Sequence, residues 1–132
     1  MNKLCRNTVA MLSFILALML GLCAAPRLSL AEEQIEALRA PFYVGKSVLA
    51  CGKVAQVTVR SEVSYINLYR PYPNHALALV IWQSELPAYE TRFGKLPTLE
   101  GKRVCARGKI EEYRKSLQMI MKNPQFLRLM TP

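Results

Sequence analysis

The chain has 132 residues, with 18 Lys and Arg residues against nine acidic ones, and so a formal net charge of +9 at pH 7. This length supports one domain with a hydrophobic core and excludes two independently folded domains. All nine acidic residues are glutamates and only one histidine is present, which leaves few ligands for a metalloenzyme site.

The first residues have the pattern of a secretory signal peptide. Lys3 and Arg6 precede an apolar run over residues 8–25, and Ser29-Leu30-Ala31 places small residues where a signal peptidase cleaves. We therefore expect residues 1–31 to be a signal peptide and the protein to be exported to the periplasm or outside the cell. The alternative is an uncleaved anchor, which would be its only contact with a membrane.

Removal of that segment would leave 15 cationic residues against nine glutamates, a net charge of +6, in one domain over residues 32–132. Such a charge fits a basic secreted domain, and it also fits a surface that binds a polyanion.

The first elements after residue 31 are a helix and a long strand. Residues 32–40 predict a short N-terminal helix, because the acidic residues lie in its first turn and Pro41 follows as a stop. Residues 42–59 predict the first strand, with a bend or bulge at Gly52. The alternation indicates that Val48, Ala50 and Val54 face the core.

Two further strands flank a proline-containing loop. Residues 63–69 alternate and predict a second strand with one face made of Val63, Tyr65, Asn67 and Tyr69. Residues 70–74 contain two prolines and predict a loop. Residues 76–82 are nearly all apolar and predict the most deeply buried strand, with Trp82 in core or edge packing.

The second half of the chain predicts a helix and two strands. Residues 84–93 predict a helix that is ended by Gly94 and has an apolar face of Leu86, Tyr89 and Phe93. Residues 102–113 predict the fourth strand, 114–116 a basic turn and 117–121 the fifth strand. This order predicts an all-β fold with short helices: a five-stranded OB-type Greek-key barrel, with its helix between strands 3 and 4.

The first and fourth strands share a repeated sequence. Residues 45–54 and 101–110 align without a gap as Gly-Lys-x-Val-x-Ala-x-Gly-Lys-(Val/Ile). These strands are neighbours in an OB barrel, so we expect the two copies to pair with each other. Cys51 and Cys105 would then emerge on the same face, which predicts a cross-strand disulfide in an exported protein. Two reduced thiols are the main alternative, and a metal site is less favoured.

Several of these segments together resemble a known group of proteins. They are Tyr43-Val44-Gly45-Lys46, Val48, Cys51-Gly52-Lys53-Val54, Tyr65-Ile66-Asn67-Leu68, Tyr72-Pro73, residues 78–82, residues 101–108, Tyr113 and Asn123-Pro124-Gln125. In these the chain resembles small secreted bacterial proteins with an OB-type, nucleic-acid-binding-like domain, and the resemblance implies a binding domain. Those proteins usually carry a glycine after the tyrosine of the final hairpin, where this chain has Arg114-Lys115-Ser116.

The candidate ligand-binding residues are tyrosines and cations. OB surfaces bind single strands through aromatic side chains set among cations on their central strands and loops. The candidates that would stack on bases are Tyr65, Tyr69 and Tyr72, and those that would contact phosphates are Lys53, Arg60, Arg70, Arg114 and Lys115. Tyrosines also fit an ordinary half-exposed sheet, so a purely structural role is the alternative.

No catalytic motif stands out. The sequence has no phosphate-binding loop, nucleophile elbow or paired carboxylates, and His75 has no acid or serine at a spacing that suggests a relay. We therefore expect a non-catalytic binding protein without a cofactor or metal, whose favoured ligand is single-stranded nucleic acid or a similar polyanion. The alternative is an envelope protein-interaction module with no nucleic-acid role. A hydrolase with His75 as general base is a third hypothesis.

Overall fold

The computed structural model describes residues 32–131 and Pro26. The expected signal peptide therefore lies, apart from that proline, outside the described residues. Residues 32–131 are mostly β, with short helices. They form β1 (Gln34–Glu36), a 3₁₀ helix (Ala37–Tyr43), β2 (Ser47–Val59), β3 (Val63–Leu68), β4 (Leu77–Trp82), α1 (Leu86–Phe93), a 3₁₀ helix (Leu96–Leu99), β5 (Arg103–Lys109), β6 (Glu111–Tyr113), β7 (Ser116–Ile120), a 3₁₀ turn (Pro124–Phe126) and β8 (Leu127–Met130). Within this part of the chain, every helix is too short or too polar to cross a membrane.

The N-terminal segment corrects the expectation of an α-helix over residues 32–40. It forms β1, which pairs in parallel with Leu49–Cys51 of β2, followed by a 3₁₀ helix. A nine-residue helix with two apolar contacts is marginal in water. The strand instead satisfies backbone groups on β2 while it buries Ile35, and Ala37 then packs into the core. Leu38, the other expected contact of the helix, is exposed.

The two copies of the repeat pair with each other, as predicted. The β2–β5 ladder is antiparallel and places Cys51 opposite Cys105, and the two sulfurs form a disulfide. Gly45 and Gly101, which open the two copies, both have a φ of +83°, a conformation that glycine adopts without steric cost. The disulfide indicates an oxidising compartment.

The irregularity in β2 lies later than predicted. The β2–β5 ladder runs through Gly52 without a shift, and the register changes between Val54 and Gln56 in the β2–β3 ladder. Gly52 has a different role, because a Cβ atom there would lie 3.2 Å from Cβ of Ala37. The glycine therefore allows the N-terminal 3₁₀ helix to approach the strand closely.

The strands form a continuous sheet in the order β6-β7-β4-β3-β2-β5-β8, with β1 beside β2. The central order of strands and helix is the predicted one, but the strand count is eight in the described residues and not five. The predicted fourth strand is divided at the buried Ile110, and β1 and β8 are additional. No ladder joins β5 to β7 within residues 32–131, so the sheet is open where the predicted barrel would close.

The core lies on the inner face of the sheet. β3 alternates as predicted, with Ile66 and Leu68 buried, and α1 places Leu86 and Tyr89 against the core. Trp82 is the exception, since 48% of it is exposed. Side chains alternate between the two faces along β4, and Trp82 is out of step with the inward-facing Leu77 and Leu79, so its side chain lies on the outer face.

Candidate ligand-binding site

An open depression of about 380 Å³ lies on the outer face of β2 and β3. Two strands supply its floor, and the loops that follow them supply part of its rim. Its lining residues are Gln56, Thr58, Arg60, Tyr65, Asn67, Tyr72, His75 and Arg114.

The floor is a patch of four side chains on two paired strands. After the irregularity in β2, Val57 packs against the core, so its neighbours Gln56 and Thr58 face outward. Asn67 pairs with Gln56, and Tyr65 pairs with Thr58. Because paired residues in an antiparallel ladder share a face, all four side chains lie on the same side of the sheet.

Gln56 joins the floor to the loop after β3. Its Oε1 atom accepts a hydrogen bond from Asn67 Nδ2 at 3.1 Å and one from the backbone N–H of Tyr72 at 2.9 Å. Asn67 is 3% exposed, so its amide is held beneath the surface of the depression. The bond from Tyr72 attaches the loop to β2 and brings the ring of Tyr72 to the rim, while the bond from Asn67 links β3 to β2.

The rings of Tyr72 and His75 stack at the edge of the depression. Their centroids are 5.9 Å apart and their planes differ by 19°, while Tyr72 remains 71% exposed. Nδ1 of His75 is buried and has no hydrogen-bond partner in the described part of the chain. Burial lowers the pKa of His75 below its usual 6.5, so the ring is neutral at pH 7 and backs Tyr72 with a flat, uncharged surface.

Two arginines from separate segments complete the rim. Arg60 directly follows β2, and Arg114 begins the turn between β6 and β7. The guanidinium carbon of Arg114 lies 5.2 Å from the ring centroid of Tyr113. Neither arginine forms a salt bridge with a described residue. Both charges are therefore available to an anionic ligand.

The depression brings together four of the eight residues chosen from sequence, which are Arg60, Tyr65, Tyr72 and Arg114. The other four do not line it: Lys53, Tyr69, Arg70 and Lys115.

The positions of Tyr69 and Lys53 have structural reasons. β3 ends at Leu68, and Tyr69 has a φ of +80°, so the strand alternation does not extend from Tyr65 to Tyr69. Tyr69 instead contacts its neighbour Arg70, whose guanidinium carbon is 5.1 Å from the ring centroid. Lys53 precedes the irregularity in β2 and lies opposite Arg103 of β5, so it belongs to the other ladder.

Four lining residues are not among the sequence-derived candidates: Gln56, Thr58, Asn67 and His75. Asn67 was predicted on the face of Tyr65, so the alternation of β3 already placed it there. The signal for Gln56 and Thr58 is their alternation with Val57 and Val59, which shows the strand parity after the bulge. The position of His75 depends on the fold of the loop, for which the sequence has no comparable signal.

The chemical groups in the depression are amides, hydroxyls, an imidazole and two guanidinium groups, with no carboxylate among them. Such groups donate and accept hydrogen bonds and attract anions. Elsewhere among the described residues, no three His, Cys, Asp or Glu side chains lie close enough to hold a metal ion.

No family model and no curated protein matches the sequence, whereas solved structures match the fold. OBody AM1L10, solved bound to hen egg-white lysozyme, is similar with a TM-score of 0.53 and 13% identity over 77% of this chain and 97% of that chain. OBody AM3L15, also bound to lysozyme, has a TM-score of 0.53 and 11% identity over 76% and 96% of the two chains. A protein described as an aspartyl-tRNA synthetase of Leishmania major Friedlin has a TM-score of 0.53 and 11% identity, over 80% of this chain and 22% of that one. At these identities the likeness shows an OB-type fold alone.

Proposed function

We propose that the protein is an exported, non-catalytic OB-type binding protein that holds single-stranded nucleic acid, or a similar polyanion, in the depression on β2 and β3. The observation that carries the proposal is the convergence of two tyrosines and two arginines from separate segments on one open surface. OB folds bind oligonucleotides across their second and third strands and through the loops after the first and fourth. Counted in that way, Tyr65 lies on the second strand, Arg60 in the loop after the first, and Arg114 in the loop after the fourth.

The binding chemistry combines stacking with charge. Bases stack on Tyr65 and on the exposed ring of Tyr72, and phosphates contact Arg60 and Arg114. A stacked base contributes about 1–3 kcal/mol whatever its identity, because every base has a π face. Phosphate contacts add affinity that depends on salt.

Export to the periplasm or the cell exterior is part of the proposal. A disulfide between Cys51 and Cys105 persists in an oxidising compartment. The charged start, apolar run and small residues before residue 32 are the pattern of a signal that directs a chain there.

The proposal is tested by titrating a fluorescent single-stranded oligonucleotide of about 12 nucleotides, a length that spans one OB fold. We expect binding at low salt, and log K should fall with log salt with a slope of about −1.4 if Arg60 and Arg114 neutralise two phosphates. Joint replacement of Tyr65→Ala and Tyr72→Ala should weaken binding at least about tenfold, because two stacking surfaces are lost.

The matched control is Tyr69→Ala, which removes an exposed tyrosine outside the depression and should leave affinity unchanged. Absence of binding at low salt would contradict the proposal. An equal loss of affinity in Tyr69→Ala would contradict the assignment of the site.

A second candidate function is protein interaction in the envelope, and the outer edge of β8 favours it. β8 pairs with β5 on one side and has no described partner strand on the other, and Leu129 and Met130 are each 37% exposed. An unpaired edge of this kind can accept a strand from another protein. This candidate predicts that Leu129→Lys abolishes capture of an envelope protein, and that the wild type does not bind the oligonucleotide.

A further inference from the structure

The side-chain amide of Gln56 has one defined orientation. Its Oε1 atom accepts from Asn67 Nδ2 and from the backbone N–H of Tyr72, at 3.1 and 2.9 Å. A flipped amide would place its NH₂ group against both donors, and the hydrogen-bond network therefore assigns the oxygen to this side. Both acceptor positions of that oxygen are used by the two bonds.

The opposite end of the same amide is a free donor. Nε2 of Gln56 donates to no described residue, and it is not among the buried atoms that lack a partner. Gln56 lines the depression beside Tyr65 and Tyr72. The two N–H groups on Nε2 of Gln56 therefore have a position that is fixed by the two hydrogen bonds to Oε1. They lie next to the rings of Tyr65 and Tyr72, which are proposed to stack on bases.

A donor with a set direction distinguishes two classes of base. Uracil, thymine and guanine carry an exocyclic carbonyl oxygen at the position where cytosine and adenine carry an amino group. The carbonyl oxygen accepts a hydrogen bond from the NH₂ group of Gln56. An amino group on the base is itself a donor, so it cannot bond to that NH₂ group and both donors stay unpaired. Thr58 does not oppose this selection, because a hydroxyl rotates to donate or to accept.

We infer that Gln56 is the specificity-determining residue of this site and that it selects keto bases over amino bases. The inference rests on the proposed function, because it concerns the same depression. Stacking and phosphate contacts supply affinity for any sequence, and the amide of Gln56 adds a preference among the bases.

The test compares oligouridine with oligocytidine of about 12 nucleotides, which match in length, charge and ring size. We expect the wild type to bind oligouridine about fivefold more tightly, which corresponds to one hydrogen bond gained in place of one unpaired donor. Gln56→Glu keeps an oxygen that accepts from Asn67 and Tyr72 but replaces the free NH₂ group with a carboxylate oxygen. The variant should therefore bind oligocytidine at least as tightly as oligouridine, with both affinities lowered by the added negative charge.

The control is Gln118→Glu, which introduces the same charge on β7 outside the residues that line the depression. It should lower both affinities and keep the preference for oligouridine. Urea unfolding of each variant establishes that the fold is retained. Equal affinity of the wild type for the two oligonucleotides, or an unchanged ratio in Gln56→Glu, would overturn the inference while leaving the proposed function intact. Failure of the wild type to bind either oligonucleotide would overturn both.

Discussion

His75 connects the edge of the depression to the stability of the fold. Its ring stacks on Tyr72, and its Nδ1 atom is buried without a hydrogen-bond partner in residues 32–131. Burial lowers the pKa of His75 because a charged imidazolium would lose its contact with water. The unfolded chain therefore binds a proton at pH values where the folded protein does not, and acidification below the usual pKa of 6.5 favours the unfolded chain.

We predict that the free energy of unfolding decreases between about pH 7.5 and about pH 5, and that His75→Gln removes part of this decrease. Glutamine is polar but does not titrate, so its effect on the free energy of unfolding is the same at both pH values. Urea unfolding of wild type and variant at the two pH values measures the effect. An identical pH dependence in the two proteins would show that His75 does not contribute to it.

The β6–β7 hairpin has an unusual turn for its residue types. Tyr113 pairs with Ser116, which leaves Arg114 and Lys115 as a two-residue loop with φ values of 48° and 64°. A two-residue loop with positive φ at both positions is a type I′ turn, which commonly has Asn-Gly there. Arg114 lines the depression, so the residue with this unfavourable positive φ is also one that is proposed to contact the ligand. Lys115 does not line it.

We predict that Lys115→Gly raises the free energy of unfolding by about 1 kcal/mol, because glycine adopts a positive φ without the clash of a Cβ atom. Urea titration measures the change. Lys115→Ala is the matched control, since it removes the charge but keeps the Cβ atom, and it should not stabilise the protein. Equal stabilisation by both variants would mean that charge, and not backbone conformation, is the cause.

The disulfide ties the two copies of the repeat across most of the fold. Cys51 and Cys105 are 54 residues apart, and the segment between them contains β3, β4 and α1. Both cysteines are buried. A covalent link across a loop of this length restricts the unfolded chain and stabilises the folded protein by about 4 kcal/mol in the chain-entropy model.

We therefore predict that the double variant Cys51→Ala and Cys105→Ala loses about 4 kcal/mol of its free energy of unfolding. Reduced wild-type protein serves as the control, because it lacks the bond but keeps both side chains. Urea unfolding with and without reductant, together with a thiol assay, measures the loss. A reduced protein in which Cys51 and Cys105 are titratable thiols and the unfolding midpoint is unchanged would contradict the prediction.

Most of the positively charged residues in the described part of the chain lie outside the candidate site. Arg103 and Arg107 form salt bridges with Glu36 and Glu32, and Lys53 lies opposite Arg103 on the other ladder. Only Arg60 and Arg114 line the depression among the cations of the described residues. Net charge therefore indicates a class of ligand and does not locate the surface that binds it.

Local patterns in the sequence were sufficient for the central order of the strands and the helix. This order follows from alternation with a period of two and from turn residues, which act over a few positions. The pairing of the two repeats and the disulfide between Cys51 and Cys105 were predicted from the OB-barrel order, in which the two strands are neighbours, and from the expected export. The short strand β1 was not predictable in this way, because its stability comes from backbone pairing with Leu49–Cys51 and not from its own composition.

The composition of the depression was decided by contacts between distant segments. A bulge between Val54 and Gln56 reverses the outward side of the rest of β2, since a shift of one residue moves every following side chain to the other face. The loop after β3 then attaches to Gln56 and carries Tyr72 to the rim, where it stacks on His75. Strand alternation could place Tyr65 on the outer face, but only the tertiary structure shows which side chains meet there, because that depends on one bulge and one hydrogen-bonded loop.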